Sequence, residues 1–354
     1  MSRFLKEIYK GLEVYTPGEQ PKDAQYIKLN TNESPYPPSE GVIRAVNSEE
    51  VSKLRLYSDP ECIELRKAVA RLYQVGTENV YLANGSDDIL NFAFMAFTGN
   101  GGAIFPEISY GFYSVFGKLH NVDCKTVALG DDFSINPKDY YNSGRMVVIA
   151  NPNAPTGLAL TVDEVEGIVK SNPNNVVVID EAYVDFGGES CIRLIDKYDN
   201  LLVVQTFSKS RSMAGARLGF AFASKEIIED LKRIKYSTNP YNINRLTLVA
   251  GRVAIEEDEY YKENCKKIIK TREWTKGALE ELGFDVVPGC ANFLFAKCDK
   301  ISGKELYLRL KEKGVLVRHF DKEKICEYNR ITIGTEQEME IMIAKVKEIL
   351  EGLG

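Results

Sequence analysis

Along this chain, short continuous apolar runs alternate with longer amphipathic stretches. Residues 80–83, 103–105, 122–129, 146–150, 176–179 and 201–205 form the runs, and several carry consecutive β-branched side chains instead of an apolar-polar alternation. Such runs predict strands covered on both faces, hence an α/β fold with a mainly parallel sheet sandwiched by helices. Helical signals fall between them. Asp59 and Pro60 read as an N-cap and first position ahead of the apolar stripe Ile63, Leu65, Val69 and Leu72. An apolar helix covers 89–97, and Thr161-x-x-Glu164 is a capping box.

Beyond Ser224 an amphipathic helix covers 225–236, a break falls at Asn239-Pro240, and one long helical region runs from about 242 to 282. Strands return at 284–287, 291–296, 315–318 and 330–333, with helices opening at Ser302-x-x-Glu305 and Thr335-x-x-Glu338. Residues 1–38 are rich in turn formers, and their prolines forbid a continuous helix. Ile27, Leu29 and Tyr36 nevertheless give that segment something to bury. The expected organisation is an N-terminal arm over 1–38, a large domain over 39–245 and a smaller α+β domain over 246–354. The arm then packs on the small domain or on a partner subunit.

In parallel sheets, function gathers at the carboxyl ends of strands, so the residues just after each run carry the chemistry. After 80–83 comes Asn84-Gly85-Ser86-Asp87 and then a helix, a turn that aims free backbone N–H groups at one point and can seat a phosphate. Asp87 and Asp88 place negative charge in the same turn, which weakens that signal taken alone. After 146–150 comes Asn151-Pro-Asn153-Ala154-Pro-Thr-Gly157. After 176–179 comes Asp180-Glu181-Ala-Tyr183, whose two carboxylates point to opposite faces if the strand continues. After 201–205 comes Thr206-Phe-Ser208-Lys209-Ser-Arg-Ser-Met-Ala-Gly-Ala-Arg217-Leu-Gly219. A loop lysine is ordinarily just solvated. Held near apolar walls and a second cation, it loses proton affinity and becomes an amine nucleophile able to form a Schiff base. Ser208 and Arg217 suit a phosphate, and the small residues admit a flat ring, so Lys209 is the expected carrier of pyridoxal phosphate.

Composition narrows the field. The 354 residues are 44% hydrophobic with a net charge of −6, an ordinary balance that disfavours nucleic acid and membrane surfaces as partners. Seven scattered cysteines without Cys-x-x-Cys spacing read as reduced thiols, and the first ten residues do not resemble a secretory leader, so a cytoplasmic location is expected. Two histidines exclude a multi-histidine metal centre. Neither Gly-x-Gly-x-x-Gly nor a Walker-type Gly-Lys-Ser/Thr occurs, which disfavours a generic nucleotide binder.

Together, the lysine segment, the arm Leu29-Asn-Thr-Asn32-Glu33-Ser-Pro35-Tyr and the following Tyr57-Ser-Asp-Pro60 resemble the fold-type I pyridoxal-phosphate aminotransferases. Within that class they resemble the histidinol-phosphate aminotransferase group, over essentially the whole chain. The resemblance implies Lys209 as cofactor attachment and proton shuttle, Asp180 on the pyridine nitrogen and Tyr183 on the ring's phenolic oxygen. It implies Tyr110 stacked on the ring, and the phosphate held by Ser208, Arg217 and the backbone of Gly85, Ser86 and Asp87. Tyr57 would reach that phosphate from a partner subunit, which makes the protein a homodimer. Arg318 and Arg330 would anchor substrate, joined by Asn32. An arginine fork accepts a carboxylate or a phosphate monoester, so glutamate and a phosphorylated amino alcohol could share one site by turns, with 2-oxoglutarate returning the cofactor to its aldehyde form. One position departs from the pattern: Ala154 stands where the group commonly has an asparagine that also bonds the phenolic oxygen, leaving Asn153 or Asn151 as substitutes. Aromatic amino-acid transamination, phosphothreonine decarboxylation and a non-catalytic ligand-binding protein are the competing readings.

Overall fold

The computed structural model describes every residue except Met1, Glu13, Val14, Asn100 and Gly354, so three positions of the expected arm lie outside the described residues. Its strands are β1 (Ile27–Lys28), β2 (Val80–Ala83), β3 (Ala103–Pro106), β4 (Cys124–Val127), β5 (Met146–Ala150), β6 (Val177–Asp180), β7 (Leu201–Thr206), β8 (Gly219–Ala223), β9 (Phe284–Val287), β10 (Phe293–Cys298), β11 (Val315–Leu316), β12 (Arg318–His319) and β13 (Asn329–Thr332). A seven-stranded sheet has the order β2-β8-β7-β6-β5-β3-β4. Its pairings are parallel except those of β8, which runs against both neighbours.

Every residue of β5, β6 and β7 is buried, as their unbroken apolar runs predict for strands covered on both faces. Alternate side chains feed two separate cores. Val147, Ile149, Ile179 and Val203 join one with Leu65, Val69 and Ala254; Met146, Val148, Val178 and Val204 join the other with Phe94, Phe116 and Leu231. Each fully buried valine or isoleucine contributes roughly 1.5–3 kcal/mol, so these three strands are a well-anchored support for the residues at their ends.

The C-terminal part builds an antiparallel sheet of order β12-β13-β10-β9, backed by the helices Gly303–Glu312 and Glu336–Glu351. Leu294, Ile331, Met339, Met342 and Val346 share its core. The arm is tied to this part: β1 pairs parallel with β11, Leu29 N donates to Leu316 O, and Thr332 N donates to Leu29 O at 3.0 Å.

Three elements differ from expectation. The helix expected from Pro60 starts at Ile63, because Cys62 turns left-handed (φ 50°) and the Asp59 carboxylate accepts the N–H groups of Glu61 and Ile63. The long helical region is two helices, Arg245–Glu256 and Asp258–Glu281, interrupted at Glu257 with neither glycine nor proline to signal it. The expected strand over 315–318 is split, its first half pairing with the arm and its second, from Arg318, with β13.

Candidate active site

Where the parallel strands end, two adjoining cavities of about 350 and 410 Å³ share Thr31, Tyr110, Ala154, Tyr183 and Lys209 in their walls. Lys209 lies in the loop between β7 and β8 and donates from Nζ to Thr31 O at 3.2 Å, with Nζ 5.8 Å from the Tyr183 ring centroid. Asp180 ends β6 and forms part of the same wall. Tyr113 donates to its Oδ2 at 2.8 Å and Ala182 N to its Oδ1 at 3.3 Å. Burial pushes this carboxyl up to about 6, against the Tyr113 bond that favours the anion.

The neighbouring Glu181 faces the other way. Ser190, Gln205 and the Cys191 N–H donate to it at 2.6–2.8 Å, and burial pushes it up to about 7. Only one carboxylate of the pair therefore enters the cavity, which is what strand alternation requires.

The turn after β2 leaves backbone donors uncapped beside the cavity. Gly85 adopts φ 89° at the head of the helix Ser86–Phe97, and no side chain caps the free N–H groups there. A Cβ on Gly219 would run into the Ser86 amide nitrogen, and one on Gly85 would stand 2.9 Å from Arg217 Nη2, so both glycines let the lysine loop close on this turn. Ser86, Asp87, Ser208 and Arg217 all line the cavity. Arg217 pairs with Asp87 at 3.0 Å, and Tyr110 donates to the same carboxylate at 2.8 Å. Ser208 is steered by Thr206, whose Oγ1 donates to Ser208 Oγ at 3.0 Å and accepts from Ser208 N at 3.1 Å. These residues fit a phosphorylated pyridine: cationic and amide donors at one end, a dry carboxylate at the other, and an amine and two phenols between.

Arg318 and Arg330 stand directly opposite each other across β12 and β13, and both line the larger cavity. Like charges so placed repel. Among the described residues neither guanidinium pairs with a carboxylate. Arg318 donates to the carbonyls of Thr16 and Pro17, Arg330 to that of Asn30 at 3.0 Å, and Arg330 Nε is buried without a partner. Burial, with Arg318 alongside, pulls Arg330 below the ordinary arginine range. A dianionic or carboxylate group between the two would relieve both effects.

Three sequence candidates lie elsewhere. Asn153 does not line either cavity: its amide donates to Ile108 O and Thr156 Oγ1 and accepts from Ser109, so its side chain ties its own loop to the segment after β3. Asn151 is likewise used, bracing Leu160 through both ends of its amide. Tyr57 is 79% exposed and stacks on Tyr241 at 4.5 Å, away from this chain's own cavities. Conversely, Tyr113, Tyr15, Gln20 and Phe320 belong to the site without having stood out in the sequence. Tyr113 sits one helical turn from Tyr110, the single local hint of its placement. Asn32 lines the larger cavity but spends its amide on Tyr183, donating to Oη at 2.9 Å.

This geometry belongs to enzymes that move amino groups, and the comparisons agree. Residues 24–346 match the family described as aminotransferase class I and II, and the chain belongs to that family, whose members work with pyridoxal phosphate. It is 52% identical to the histidinol-phosphate aminotransferase of Brachyspira hyodysenteriae, covering 99% of this chain and 100% of that protein. It is 48% identical to the enzyme of the same name from Clostridium botulinum (strain Kyoto / Type A2) over the full length of both. In fold it resembles histidinol-phosphate aminotransferase from Sinorhizobium meliloti in complex with pyridoxal-5'-phosphate, with a TM-score of 0.89 and 21% identity over 100% of this chain and 99% of that one.

Proposed function

We propose that the protein transfers the amino group of L-histidinol phosphate to 2-oxoglutarate, giving imidazole acetol phosphate and glutamate, a step of histidine biosynthesis. The carrying observation is the opposed pair Arg318 and Arg330, without a carboxylate partner among the described residues, beside the lysine-bearing cavity. Full-length similarity to proteins named for this reaction supports the same reading. One anion seat serves both half-reactions, because a guanidinium fork takes a phosphate monoester and a carboxylate with the same donors.

Pyridoxal phosphate, when bound, supplies the electron sink. The rest falls to the chain. Lys209 holds the cofactor through its amine and, once displaced by the substrate amine, carries the proton away from the amine-bearing carbon. Asp180, as an anion, keeps the ring nitrogen protonated, and Tyr183 donates to the phenolic oxygen. Tyr110 covers the ring, while Gly85, Ser86, Asp87, Ser208 and Arg217 hold the phosphate. Arg318 and Arg330 orient the substrate so that its reacting carbon meets the lysine amine.

A second copy completes the site in this reading. Tyr57 is exposed alongside Ile43, Leu54 and Leu56, an apolar surface suited to a partner, and its phenol reaches the partner's phosphate seat. Residues 39–245 then act as the large domain and 246–354 as the small one, with the arm joined to the latter. No helix among the described residues is long and apolar enough to cross a membrane, and a cytoplasmic setting accords with the seven free cysteines.

A panel of amino donors tests the assignment, scored by conversion of the bound cofactor to its amine form and by product. Histidinol phosphate should exceed phenylalanine in kcat/KM, and phosphothreonine should release no carbon dioxide. Preference for phenylalanine, or carbon dioxide from phosphothreonine, would overturn the substrate.

A further inference from the structure

Asn32 is an unusual residue to find beside Tyr183. It is 1% exposed, adopts φ 56°, and belongs to the arm, 151 positions before the tyrosine whose oxygen it touches. Its whole side chain is oriented. Thr332 Oγ1 donates to Asn32 Oδ1 at 2.9 Å and accepts from Asn32 N at 3.0 Å, which leaves only the Nδ2 end to face Tyr183 Oη. Flipping the amide would set Nδ2 against the threonine oxygen and take from the Thr332 hydroxyl hydrogen the acceptor it has here. Asn292 Nδ2 donates to Asn32 O at 3.1 Å and fixes the backbone as well. On the other side of Tyr183, Ala154 lines the cavity and offers no side-chain donor, and Asn153 is committed elsewhere.

We infer that Thr332 and Asn32 form a relay that sets which way Tyr183 uses its oxygen: Asn32 donates to Oη, so the phenolic hydrogen is left to point into the cavity. Asn32 is thus a positioning residue acting through Tyr183, and Thr332 positions Asn32. An oxygen that accepts one hydrogen bond donates its own more strongly, so the relay both aims and strengthens the donation. Thr332 and Arg330 lie two residues apart on β13 and so project from the same face of the strand that carries the anion seat. This inference rests on the reading that Tyr183 donates to the cofactor's phenolic oxygen.

A hydrogen bond donated to an oxygen favours its deprotonated form, so weakening the donation raises the pH at which the bound cofactor's visible absorbance titrates. Lys209, Arg330, Tyr15, Tyr110 and Tyr113 surround Tyr183, and Glu33, Asp87, Asp180, Arg217 and Arg318 line the same cavities; none is altered in the variants that test the relay.

The experiment is a spectrophotometric pH titration of the cofactor-loaded enzyme. Asn32→Asp keeps shape and backbone conformation but replaces the donor with an acceptor, drawing the Tyr183 hydrogen to itself; its midpoint should rise by about one unit. Its added charge acts in the same direction, so the uncharged Thr332→Val, which frees the amide, should also raise the midpoint, by less. Thr332→Ser should restore the parental value. Should Asn32→Asp not fold, the two Thr332 variants decide the matter alone. Midpoints that stay at the parental value in folded, loaded Asn32→Asp and Thr332→Val would overturn the relay while leaving the transaminase reading intact. A parental midpoint that Tyr183→Phe leaves unmoved would remove the reading that Tyr183 bonds the phenolic oxygen, and the relay with it.

Discussion

Asp180 illustrates at the scale of one residue how this site trades stability for chemistry. Its folded value of about 6 lies above the ordinary 3.8, so between those values the folded chain holds a proton the unfolded chain has lost. Stability therefore falls as pH rises through that window, and a cost on the order of 3 kcal/mol stands above it for the cofactor-free protein. Asp180→Asn removes the buried charge. Melted without cofactor above the window, it should be more stable than the parent, with the difference vanishing below about pH 4, while turnover falls roughly a hundredfold or more. A variant that loses stability at high pH would contradict the desolvation argument. Lys209, Asp180 and Tyr183 were legible in the sequence because each follows or ends a strand that an apolar run announces, whereas the two arginines stood out only by resemblance, Arg330 lying near the start of β13. Tyr113 and the Asn32 amide were not legible, since their bonds join positions 67 and 151 residues apart and no local pattern encodes such a meeting. Asn153 misled because a polar residue at a strand end can brace a neighbouring loop, here Ile108 and Ser109 some 45 positions earlier, in place of lining a cavity.

Among the elements, the strands were the most readable and the helix boundaries the least. Continuous apolar runs leave little choice for β5, β6 and β7, whereas Cys62 in a left-handed conformation and the interruption at Glu257 arise from packing that no residue type advertises. Of the three Ser/Thr-x-x-Glu helix starts, two form the full box, while at Ser302 only the cap half forms, its Oγ accepting from Glu305 N at 3.2 Å. Thr161 and Thr335 each accept the N3 backbone N–H while the glutamate at N3 accepts from the cap. The second opens the helix Glu336–Glu351, whose Met339, Met342, Val346 and Ile349 are core residues. Thr335→Ala should therefore cost about 1 kcal/mol, seen as a lower urea midpoint at unchanged slope. A negligible change would mean that tertiary packing alone holds that helix start.

At the scale of the whole molecule, the proposed assembly makes each site a joint product of two chains. If Tyr57 completes the partner's phosphate seat, two damaged chains can repair each other. Lys209→Ala and Tyr57→Ala proteins, each impaired alone, should on unfolding and mixing recover about a quarter of parental turnover, because half of randomly paired dimers hold one intact site of two. Mixtures no more active than their parts would place Tyr57 outside the site.

The antiparallel placement of β8 has a consequence for how the site is assembled from the chain. Thr206 and Gly219 face each other across the β7–β8 ladder, so the loop carrying Lys209 is pinched shut by its own flanks. Closing so short a loop costs little chain entropy, whereas joining Ala83 to Gly219, or Asn32 to Thr332, ties together remote parts of the polypeptide. The amine is the local component of this enzyme and the pocket around it the global one. Damage far from the lysine, at the arm or at β13, can dismantle the pocket and leave the lysine loop in place.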